Sequence, residues 1–120
     1  MSDHLHLIWQ PLGDHTAKQN QHNFLKYTAQ QIKFHLLEHG RGELEIYRVK
    51  ATDREFQFWE RNSLSIELYS TKVFMQKLNY IHQNPVRAGL CLYPEEYHYS
   101  SAKFYETGID DWGILSHYRG

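Results

Sequence analysis

Phe24, Thr28, Ile32 and Leu36 recur every four residues, with Leu25 and Leu37 beside them. That spacing suits a helix with one apolar side and no other regular element. It predicts a helix over 21–39, with Lys26, Gln30 and Lys33 off the stripe and Gly40 as a left-handed C-terminal cap. A second stripe, Val73, Phe74, Leu78 and Ile81, predicts a helix that Ser70 or Thr71 caps. Pro85 is expected to end it, because the residue before a proline avoids the helical region, and Gly89 then helps the chain turn away.

The remaining segments read as strands and loops. Leu5 to Trp9 alternates, with Leu5, Leu7 and Trp9 on one side and His4, His6 and Ile8 on the other, as a strand would place them. Pro11 and Gly13 mark a turn. Residues 40–54 read as a charged loop with a short element around Leu44 to Val49. Phe56 to Trp59 reads as a buried strand or strand end, Asn62-Ser63 as a loop, and Leu64 to Tyr69 is ambiguous. No repeat, low-complexity tract or linker divides the chain, so its 120 residues read as one domain, long enough to hold a core without staples.

Composition narrows the class. No apolar run approaches the roughly 20 residues of a membrane span, and no secretory apolar region opens the chain. The single cysteine, Cys91, has no intrachain disulfide partner. Together these features point to the cytoplasm. Lys and Arg number 13 against 14 Asp and Glu, a formal net charge of −1, so nothing global announces a nucleic-acid binder. Nine His and nine Tyr supply metal ligands and candidate nucleophiles, although most such residues in any domain serve the core or the surface.

Two small constellations carry chemistry. His4 and His6 stand two apart, so a strand would turn both imidazoles to one face, toward one divalent ion. With so many His in the chain, such a spacing also arises by chance about as often as not. Tyr80 and Asn84 stand four apart on the second helix and off its apolar stripe. A phenol there can attack a phosphodiester, and a carboxamide oxygen can ligate magnesium or manganese. The same spacing fits a core tyrosine and an asparagine that merely precedes Pro85.

The segment Tyr80-Ile81-His82-Gln83-Asn84-Pro85-Val86-Arg87-Ala88-Gly89-Leu90 resembles the signature of REP-associated and related insertion-sequence tyrosine transposases, within the HUH single-tyrosine nucleases. Pro94-Glu95-Glu96-Tyr97-His98-Tyr99-Ser100-Ser101-Ala102 is similar to the segment that follows it there. Asp3-His4-Leu5-His6-Leu7-Ile8-Trp9 resembles the family's metal strand. The resemblance implies an α+β fold, a ferredoxin-like antiparallel sheet with helices on one face. It implies cleavage and joining of single-stranded DNA beside hairpins, with Tyr80 as the nucleophile that becomes a 5′-phosphotyrosine. It also implies a divalent magnesium or manganese ion held by His4, His6 and Asn84. His82 has no assigned role. Lys26, Lys33, Arg61, Lys77 and Arg87 are the candidate DNA contacts, and each is equally well an ordinary solvated charge.

Family members usually carry a few dozen residues ahead of the His pair, supplying a strand and a helix of the sheet. Here His4 lies near the start, so the sheet is expected to be N-terminally incomplete, with an open strand edge that invites self-association, a homodimer included. Two further readings follow: a catalytically inactive truncated remnant that retains hairpin DNA binding, and an unrelated metal-binding domain in which Tyr80 is core.

Overall fold

A Thr at position 16 and a Gln three residues on begin the longest element, because each side chain satisfies the other's backbone. Thr16 Oγ1 accepts from the Gln19 N–H at 3.1 Å, and Gln19 Oε1 accepts from the Thr16 N–H at 2.9 Å. The computed structural model describes residues 3–61 and 63–120, so the Asn62 part of the expected loop lies outside the described residues. Its regular elements are α1 (Ala17–His39), α2 (Arg41–Leu44), α3 (Thr71–Arg87) and α4 (Ala102–Thr107), with 3₁₀ turns at Glu45–Tyr47 and Pro94–Glu96. Two units result: Trp9–Ser65, and Met1–Ile8 with Ile66–Gly120.

In the first unit the capping box starts α1 four residues earlier than the apolar period alone indicates. Leu36 is buried, and Phe24, Thr28 and Ile32 are half-buried, as the stripe requires. Thr28 earns its place among apolar residues through its hydroxyl. It donates to the Phe24 carbonyl at 2.8 Å and accepts from the Trp59 indole N–H at 3.0 Å, while Phe24 meets Trp9 and Trp59 ring to ring. Gly40 is not the left-handed cap expected. Its φ of −160° is extended; its N–H closes on the Leu36 carbonyl, and its own carbonyl accepts from the Leu44 N–H, so the chain passes straight into α2.

The second unit is organised by α3. Ser70 Oγ accepts from the Val73 N–H at 3.2 Å and caps it. Leu78, His82 and Pro85 are buried, and Val73, Phe74 and Ile81 are half-buried. Pro85 does not end the helix: it lies inside the last turn, and α3 runs on to Arg87. A proline this late removes only one backbone donor, and burial of its ring favours the helical path. The true terminus is a Schellman motif. The Gly89 N–H bonds the Val86 carbonyl and the Leu90 N–H bonds the Pro85 carbonyl, with Gly89 at φ +76°. The 94–96 turn packs against α3 and α4. The C-terminal segment returns its rings to the same place, Tyr118 to Phe74 and His117 to Tyr105.

The expected ferredoxin-like sheet is overturned. Among the described residues there is no strand and no sheet, only an isolated antiparallel bridge between Arg48 and Phe56. A strand exists by pairing its backbone with a neighbour, and residues 5–9 have no such partner here. Leu5 and Leu7 are about half exposed. Phe56 to Trp59 contributes only the end of a narrow ribbon, where the Val49 N–H meets the Glu55 carbonyl and the Gln57 N–H meets the Tyr47 carbonyl. Arg48 braces that ribbon with bonds to Glu45 and Glu55 and lies over the Phe56 ring. The open-edge argument for a homodimer loses its strand as well. No helix among the described residues is long and apolar enough to cross a membrane.

Gly89 has open space around it, so a side chain there meets no clash and only the positive φ penalises it. Gly89→Ala is expected to destabilise the protein by about 1 kcal/mol, read as a lowered urea midpoint with unchanged slope. An unchanged midpoint would show that the Schellman end contributes nothing.

Candidate functional site

Helical geometry places Lys77, Tyr80, Asn84 and Arg87 along one stripe of α3, at intervals of three and four residues. The stripe lies about two-fifths of a turn from the buried Leu78–His82–Pro85 side. Tyr80 is 52% exposed, which sets aside the reading of it as a core residue. Arg87 reaches back along the stripe: its guanidinium lies 4.6 Å from the centre of the Tyr80 ring and donates to the Tyr80 carbonyl at 2.8 Å. This arrangement exists only because α3 continues past Pro85.

The N-terminal segment brings the His pair to the same stripe. The Asn84 side-chain NH₂ donates to His6 Nε2 at 2.9 Å, across 78 residues of chain. The His6 ring also stands edge-on to Tyr80, with centroids 6.1 Å apart, and 5.3 Å from the ring of His4. His4 Nδ1 bonds Asp3 Oδ1 at 2.7 Å. A carboxylate on one imidazole nitrogen leaves the other as the free donor, which is how metal-bound histidines are usually oriented. Asp3 in turn is held below the usual carboxylate range by its hydrogen bond to His4. Burial, then the charge of His4, pushes His6 below the ordinary imidazole range, so it stays in the neutral, ligating form.

Two imidazoles and a carboxamide make a donor set that suits a divalent ion, with the Asn84 amide turned so that its oxygen rather than its NH₂ faces inward. Among the described residues no group of three or more His, Cys, Asp or Glu gathers for a metal, so this trio depends on the Asn84 oxygen. The other candidate residues divide. Lys77 and Arg87 share the stripe, whereas Lys26, Lys33 and Arg61 belong to the other unit, where Lys26 and Arg61 are exposed and Lys33 lies 5.7 Å from the Phe56 ring centre.

His82 has a structural place instead. It is buried, its Nε2 hydrogen-bonds Ser101 Oγ at 2.8 Å, and its ring meets Tyr105. Its spacing from Leu78 and Pro85, on the buried face, was the available sequence signal. The Arg87–Tyr80 contact was likewise signalled by a seven-residue spacing, masked by the expectation that Pro85 ends the helix. Comparison with protein-family models, curated proteins and solved structures finds no match.

Burial lowers the His82 imidazole too. For both His6 and His82 the protonated form is disfavoured in the folded protein. Their contribution to stability is therefore present above about pH 6.5 and is lost as pH falls through the lowered folded values. NMR titration should give midpoints for both rings below that of an unperturbed histidine, and His82→Gln should flatten the fall in unfolding free energy below about pH 6.5. A His6 midpoint at or above about 6.5 would contradict the neutral-ligand assignment.

Proposed function

We propose that this chain cleaves and rejoins single-stranded DNA beside a hairpin through a covalent link to Tyr80. The observation that carries the reading is the meeting of His6 with Asn84 beside Tyr80, which joins the two motifs of the transposase resemblance in one place. It rests on that side-chain arrangement and on the resemblance of the residues from Tyr80 to Leu90, and no longer on any sheet.

In this mechanism Tyr80 Oη attacks the scissile phosphorus and gives up its proton to water. The new O–P bond forms as the bond to the 3′-oxygen breaks, and the departing oxygen takes a proton to leave a free 3′-hydroxyl. The reverse attack by a 3′-hydroxyl releases Tyr80 and rejoins the strand. Arg87 holds the phenol from below and offers a guanidinium to the phosphate. Lys77, on the same stripe, is a candidate for the neighbouring phosphate. His4, His6 and Asn84 would hold magnesium or manganese, which when bound supplies Lewis-acid polarisation of the phosphate. The reading places the protein in the cytoplasm, where its one free cysteine, Cys91, has no disulfide to form.

The test is a hairpin-flanked single-stranded oligonucleotide incubated with the protein and magnesium or manganese, followed by denaturing electrophoresis. A covalent adduct is expected with the unaltered chain and none with Tyr80→Phe, which keeps the ring and loses the hydroxyl. His4→Ala with His6→Ala should abolish metal-dependent cleavage while leaving salt-sensitive DNA binding. Arg87→Ala should slow adduct formation at least tenfold. An adduct formed by Tyr80→Phe would overturn the nucleophile assignment. Hairpin binding with no adduct from the unaltered chain would overturn the cleavage and leave hairpin binding alone.

A further inference from the structure

The last turns of α1 hold a second histidine pair that the proposed chemistry does not use. His35 and His39 are four residues apart on a continuous helix, both exposed, with ring centroids 4.8 Å apart and planes inclined at 45°. We propose that they form a two-imidazole site for a borderline-soft divalent transition-metal ion, Cu²⁺, Ni²⁺ or Zn²⁺.

Three observations converge on it. Spacing at i and i+4 stacks the two side chains on one helix face, within reach of one ion, and this is how helical metal sites present paired histidines. The backbone that carries them is already ordered by the capping box at its start and by the Gly40 contact at its end, so chelation orders little beyond the rings. The pair also sits at the C-terminal end of α1, where unsatisfied carbonyls give a partial negative charge that favours a cation.

The ligand type sets the metal. Two imidazole nitrogens with no protein oxygen donor favour Cu²⁺ above Ni²⁺ and Zn²⁺, whereas magnesium and manganese prefer oxygen. The site lacks the carboxamide oxygen that Asn84 adds to the His4–His6–Asn84 trio. With two protein donors it leaves the remaining positions to water or to a ligand from outside.

The experiment uses the full chain carrying His4→Ala and His6→Ala, so that its outcome is independent of the proposed cleavage site. Calorimetric titration with Cu²⁺ in a non-chelating buffer should show one strong site. His35→Gln and His39→Gln should each weaken it at least tenfold, His22→Gln should leave it unchanged, and circular dichroism should show α1 intact in each. Because the glutamine variants could fold poorly, a second arm leaves His35 and His39 in place: on adding Zn²⁺ their ring NMR signals should move together. Unchanged affinity in either variant, or Zn²⁺ shifts confined to other histidines, would overturn the site.

Discussion

Helix α3 must serve two faces at once, and the second unit depends on its doing so. One side buries Leu78, His82 and Pro85, with His82 against Ser101 and Tyr105; the stripe nearly half a turn away carries Tyr80, Asn84 and Arg87. The core side sets the rotation of the helix about its axis, and that rotation presents the phenol to solvent. Repacking around Leu78 would therefore turn the site as well as loosen the core. The part-buried hydrogen bond between His82 and Ser101 adds direction to what would otherwise be an apolar contact.

Continuity through Pro85 is the second requirement. A helix ending there would leave Arg87 on an irregular segment, and its guanidinium would have no reason to lie over Tyr80. The proline gives up one backbone donor, gains burial of its ring, and hands termination to Gly89 two residues beyond the last helical position. The histidine side of the site is held quite differently. Residues 3–8 have no strand ladder, and side-chain bonds do the positioning: Asp3 to His4, and Asn84 to His6. An arrangement held this way on one side and by a helix on the other pairs a rigidly placed phenol with two more loosely tethered imidazoles.

The unit built on α1 uses polar groups in the same economical way. Thr28 joins the Trp59 indole to the helix backbone, and Arg48 joins two glutamates and an aromatic ring across a ribbon that has only one bridge. These contacts stand where the resemblance implied a sheet. They need few backbone partners, which is why short aromatic runs such as Phe56 to Trp59 settle without forming a strand.

From the sequence alone, both long helices, their apolar stripes, the Ser70 cap and the shared face of Tyr80 and Asn84 were legible, because each rests on spacing within one turn or two of a single helix. The capping box at Thr16 was legible in principle from the same local chemistry. What the sequence could not decide was anything that needed a partner far along the chain. Alternation in Leu5 to Trp9 is a necessary mark of a strand but not a sufficient one, since pairing is a tertiary event, and here none occurs. Whether Pro85 stops a helix depends on burial of its ring, whether His82 is surface or core depends on Ser101 and Tyr105, and whether His6 meets Asn84 depends on how residues 78 positions apart are folded together. Local periodicity sets which side of an element each residue occupies; only the packed chain sets what that side meets.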